Sequence, residues 1–159
     1  MCKREIPFFS ITAAMGPCKT QGIDNVIPLT GKAGRLFSPL YPEKFPQDME
    51  CTWIITVPEG RFVRLSITSF DLGNEGKNTL EIRDGQNSLS PLLGNFCSVS
   101  FDPSVFSSGR YLWVRFQSEK RADKPPYATG FKAFYETVSQ CRYSFFLTMF
   151  FRFTHSFRL

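Results

Sequence analysis

A single histidine, His155, occurs in 159 residues, and no two of the five cysteines form a C-x-x-C pair. A Ser/His/Asp triad therefore has no imidazole beside a strand-borne serine, because His155 lies in a Phe-rich C-terminal stretch. A zinc site of sulfur and imidazole lacks its ligand spacing. The segment from Gly73 to Gly76 is followed by neither a Lys-Ser/Thr pair nor a helical pattern, which removes a phosphate-cradling loop. Carboxylates such as Glu81 and Asp84 fall on a strand and its turn, where they read as surface groups and not as an acid/base pair. These gaps argue against an enzyme and require no cofactor.

Long apolar runs are missing as well. The stretch from Ser144 to Leu159 carries Phe145, Phe146, Leu147, Met149, Phe150, Phe151, Phe153 and Phe157, but Arg152 and Arg158 interrupt it. It falls far short of the roughly 18 to 20 residues of a transmembrane helix. No amphipathic helical pattern exceeds two turns. A clustered basic face is absent too, despite a net charge of +5. Between Lys19 and Lys132 there are 14 basic residues, against 13 acidic ones between Asp24 and Glu136, so the middle of the chain is only +1. The excess sits at Lys3 and Arg4 and at Arg142, Arg152 and Arg158, which argues against nucleic acid as a partner.

What the sequence does contain is β-structure. Eleven Gly and eleven Pro are spread along the chain. Between the turn signals Pro58-Glu59-Gly60, Asp84-Gly85, Ser107-Ser108-Gly109 and Pro125-Pro126 runs a period-2 alternation. It places Trp53, Ile55 and Val57 on one strand face, Val63, Leu65 and Ile67 on a second, and Leu80 and Ile82 on a third. Leu112, Val114 and Phe116 form a fourth face, and Phe131, Ala133 and Tyr135 a fifth. The expected fold is an all-β, antiparallel sandwich with these side chains in its core.

Widely spaced cysteines at positions 2, 18, 51, 97 and 141 imply disulfides and an oxidising, extracellular compartment. Lys3 and Arg4 followed by the mostly apolar run Ile6 to Gly16 have the form of a short signal peptide, whose removal would discard Cys2. A disordered N-terminus is the other reading of residues 1–17. Residues 139–159 are expected to be a Phe/Arg-rich tail outside the fold, which leaves 18–138 as the domain.

The order Ser38-Pro39-Leu40-Tyr41-Pro42, Phe45-Pro46, Cys51-Thr52-Trp53, Pro58-Glu59-Gly60, Phe70-Asp71-Leu72, Leu80-Glu81-Ile82-Arg83-Asp84-Gly85, Leu93-Gly94-Asn95-Phe96-Cys97, Phe116-Gln117-Ser118 and Gly130-Phe131-Lys132-Ala133-Phe134-Tyr135 closely resembles a CUB domain. The resemblance runs from about Cys18 to Val138. It implies a jelly-roll-like sandwich of two antiparallel sheets and a Cys18–Cys51 disulfide. Cys97 matches the family's fourth cysteine, but the third, expected near Glu75, is missing. Cys97 is then a buried free thiol, an intermolecular partner, or the partner of Cys141.

Many such domains hold calcium near one end, and here the implied ligand positions are altered. Gly73 replaces a Glu, Asn78 an Asp and Glu119 an Asp, and Phe45 stands where a Tyr is common. No metal is expected; Asp71, Asn78 and Glu119 are the remnants of the site. The resemblance implies a non-catalytic module that recognises an extracellular protein. The alternative is a spermadhesin-like secreted binder of carbohydrate or glycosaminoglycan, which the +1 middle of the chain disfavours. The expected binding end carries Asn78, Glu119, Lys120, Arg121 and Tyr127, with Arg121 and Tyr127 as anchors.

Overall fold

A computed structural model describes residues 18–20, 26–73, 77–97, 104–120 and 128–139. Its strands are β1 (Lys19–Thr20), β2 (Val26–Thr30), β3 (Ala33–Phe37), β4 (Met49–Thr56), β5 (Phe62–Asp71), β6 (Thr79–Arg83), β7 (Leu92–Phe96), β8 (Ser104–Phe106), β9 (Tyr111–Gln117) and β10 (Gly130–Val138). One sheet has the order β1-β4-β9-β6-β7 with β2 also on β4, and the other has the order β3-β10-β5-β8. Among the described residues no helix is long and apolar enough to cross a membrane.

The alternation read from the sequence is what the registers use. Trp53 lies opposite Val114, Ile55 opposite Leu112 and Cys51 opposite Phe116 across β4 and β9. Leu80 and Ile82 of β6 meet Phe116 and Val114 from the other side of β9. Every side chain expected in the core is buried, together with Leu36, Phe45, Leu72 and Ala128. The two inner faces meet in aromatic contacts. Trp53 stands edge-on to Phe131 with ring centroids 5.8 Å apart, and Phe45 stands edge-on to Phe116 at 5.2 Å. Edge-to-face pairs of this kind add to the area they bury.

The expected antiparallel pairing has one exception: β2 runs parallel to β4, with Val26 opposite Thr52 and Thr30 opposite Thr56. The reason is a corner. Gly31, at φ 122° and with its N–H on the Thr56 carbonyl, turns the chain out of the first sheet, and β3 begins two residues later in the second. Because β2 is not joined to β4 by a hairpin, nothing forces it to run antiparallel. Gly34 on β3 has a different task. It faces Tyr135 of β10, whose ring occupies the space a Cβ there would need.

Cys18 and Cys51 form a disulfide with Cα atoms 4.7 Å apart, beside the short β1–β4 ladder. The closed loop of 33 residues is worth roughly 3 to 4 kcal/mol in the chain-entropy account. Replacing both cysteines with Ala should lower stability by about that amount. Urea unfolding of the variant checks this, and an unchanged midpoint would contradict it.

Burial raises the pKa of the Tyr135 phenol above its ordinary value. Above a pH of about 10 the folded state therefore keeps a proton that the unfolded chain releases. The associated stability is present below that pH and lost as pH rises through the folded value. Tyr135→Phe should flatten the alkaline limb of a stability–pH curve.

Candidate binding site

At one end of the sandwich β5 finishes at Asp71, β6 starts at Thr79, β9 finishes at Gln117 and β10 starts at Gly130. Two buried motif serines fasten this end. Ser118 receives the Met49 N–H on its Oγ at 2.9 Å and donates to the Pro46 carbonyl at 2.9 Å, which pins the β3–β4 connection to the end of β9. Ser38 receives the Phe131 N–H on its Oγ at 3.0 Å, while its own N–H donates to the Phe131 carbonyl. A Cβ on Gly130 would overlap that serine hydroxyl, so Gly130 is required for close approach as well as for its φ of 88°. The sequence motifs contain both serines, but a serine in a Pro/Gly-rich loop carries no signal that it will be buried.

Three of the residues expected at this end have defined partners. Asn78 is half-buried and works in both directions. Its Nδ2 donates to the Leu72 carbonyl at 2.9 Å, and its Oδ1 accepts the Glu119 N–H at 3.0 Å, so one amide joins the end of β5 to the end of β9. Asp71 accepts from the Gly73 N–H on Oδ1 and from Thr129, backbone and hydroxyl, on Oδ2. Glu119 pairs through Oε1 with the Lys77 ammonium at 3.3 Å, and its carbonyl accepts the Asp48 N–H. Lys120 follows, exposed. Arg121 and Tyr127, the expected anchors, lie outside the described residues, as do residues 74–76 and Cys141. Cys97 is half-buried, and it is free among the described cysteines.

Calcium takes six to eight oxygen ligands, several of them anionic. The described residues at the implied ligand positions are engaged with other groups. Asn78 is neutral and turns its only oxygen to an N–H, Glu119 already faces an ammonium, and both Asp71 oxygens are engaged by loop donors. Gly73 sits at φ 80°, a conformation in which a Glu would be strained. Together the two Asn78 hydrogen bonds form a clip between the ends of β5 and β9.

Asn78→Asp tests the clip. It removes the donor to the Leu72 carbonyl and sets a carboxylate against it, so stability should fall by about 1 to 3 kcal/mol in urea unfolding. A neutral or stabilising outcome would show that the amide is not the tie described.

Residues 24–135 match the CUB domain family. The chain is 39% identical over 113 residues to cubilin of Sus scrofa, covering 69% of this chain and 3% of that protein. It is 37% identical over 116 residues to tolloid-like protein 2 of Mus musculus, covering 71% and 11%. It therefore spans a small fraction of these curated relatives. The solved structure of the CUB1-EGF-CUB2 domains of rat MASP-1 superposes with a TM-score of 0.60 at 28% identity, over 74% of this chain and 45% of that one. The match, the two-sheet sandwich and the Cys18–Cys51 bridge agree: this chain belongs to the CUB domain family, protein-interaction modules of extracellular proteins.

Proposed function

We propose that this chain is a non-catalytic, metal-independent recognition module that binds an extracellular protein through the end of the sandwich carrying Asn78, Glu119, Lys120, Arg121 and Tyr127. The observation that carries the proposal is the Asn78 amide, which ties the β5 and β9 ends together by two hydrogen bonds. Loop ends already ordered this way lose little conformational freedom on binding, which is what a calcium ion would otherwise provide. The Lys77 ammonium adds a positive charge beside Glu119, although an exposed pair of this kind contributes little stability by itself.

The partner expected is a protein surface of mixed charge. Glu119 and Lys120 supply both signs, and Arg121 and Tyr127 are residue types that dominate binding energy when desolvated. We take residues 18–138 as the domain that carries this site.

The test has two arms. Millimolar Ca²⁺ should leave the melting temperature unchanged, whereas a one-site binder at 100 times its Kd would gain about 2.7 kcal/mol. In an extracellular pull-down with the full chain, Arg121→Ala and Tyr127→Ala should each weaken capture at least about tenfold, and chelator should not. Capture that is lost on chelation, or kept by both variants, contradicts the proposal. Capture displaced by heparin in proportion to salt would instead favour a glycosaminoglycan ligand.

A further inference from the structure

The opposite end of the sandwich holds a groove of a different character. There the first residue of β5, the last of β8 and the last of β10 bring Phe62, Phe106 and Val138 around a cavity of about 380 Å³. Phe106 is 42% exposed. Polar residues of the groove wall are held by hydrogen bonds. Ser107 in its wall receives the Val63 N–H on Oγ at 2.7 Å and donates to the Gly109 carbonyl at 2.6 Å. On the rim Asp84 receives the Ser108 N–H at 2.8 Å. A cavity of this size admits one or two aromatic rings, and the carboxylate on its lip favours a cation beside them.

The sequence supplies an occupant of that chemistry at the shortest distance available. Ser139, the residue from which the chain continues into 140–159, is itself part of the groove wall. Those following residues hold six of the 18 phenylalanines, and Arg142, Arg152 and Arg158 with no acidic residue among them. Arg142 follows Ser139 by three residues in the sequence, and Ser139 and Asp84 line the same cavity. Phe145 and Phe146 lie six and seven beyond, and six extended residues reach about 20 Å. A tether this short gives an effective concentration in the millimolar range, so a weak groove suffices. We propose that the groove formed by Phe62, Phe106 and Val138 is the docking site of this chain's own Phe/Arg-rich C-terminal segment, through Phe145 or Phe146 and with Arg142 at Asp84. The segment then covers a finished sandwich whose last strand still ends at Val138.

Photo-cross-linking of the full chain tests this. Phe145→p-benzoylphenylalanine and, separately, Phe146→p-benzoylphenylalanine should give intrachain cross-links to the peptides carrying Phe62, Phe106 or Val138, with a yield independent of protein concentration. Phe106→Ser should reduce that yield about tenfold by removing an apolar wall. Arg142→Glu, which reverses the charge proposed to face Asp84, should reduce it about threefold. Cross-links to other parts of the chain, cross-links between two copies, no cross-link, or a yield that neither variant changes would each overturn the proposal.

Discussion

The position of Phe131 is the constraint on which the rest of the sandwich depends. Its ring takes the edge of Trp53 from the opposite sheet and lies 5.8 Å from Phe116, which in turn receives Phe45. Its backbone N–H and carbonyl are both held by Ser38, and Gly130 makes the approach possible by lacking a Cβ. One residue thus joins the two sheets and fixes the start of β10. Thr129, two residues before it, is thereby placed to meet Asp71, and Ser118, two residues after Phe116, to meet Met49 and Pro46. The binding end inherits its geometry from the core.

Given that geometry, the chemistry at the loop ends turns on the difference between an amide and a carboxylate. Between the Leu72 carbonyl and the Glu119 N–H, a carboxylate could satisfy only the N–H and would face the carbonyl with like charge; a cation would have to mediate. Asn78 presents a donor to one and an acceptor to the other. A donor and an acceptor on one amide make it a sufficient bridge, because the groups it joins are backbone groups that would otherwise lack these partners.

How much of this the sequence shows depends on burial on one face. Strands β4, β5, β6, β9 and β10 each bury one face more completely than the other, and their period-2 pattern identified both strand and core. Strand β7 does neither: Leu92 and Leu93 are both exposed at the sheet edge and Gly94 breaks the pattern, so nothing alternates. Strands β1, β2, β3 and β8 are too short or too exposed to register. Within β9 the alternation itself is imperfect, since Trp113 is buried although its neighbours Leu112 and Val114 fill the inner face. At the site, the replacement of Asp by Asn was visible at position 78, but the amide's two partners were not, because they are backbone atoms of residues 6 and 41 positions away.

The outer face of the larger sheet is a ladder of matched charges. There Arg115 lies between Glu50 and Glu81, and Arg83 also pairs with Glu81, so the charges on β4, β9 and β6 are matched within the sheet. A partner covering this ladder would strip water from paired charges without offering better ones, and such desolvation can exceed what the ion pairs return. Nor does the chain's net charge steer ligands to this face, since the middle of the chain is nearly neutral. The ends differ from the face and from each other. One is polar and tied by Asn78 and the motif serines; the other is an apolar groove with a carboxylate on its rim. The two ends therefore differ in chemistry: hydrogen-bonding groups and mixed charge at one, apolar walls beside a carboxylate at the other.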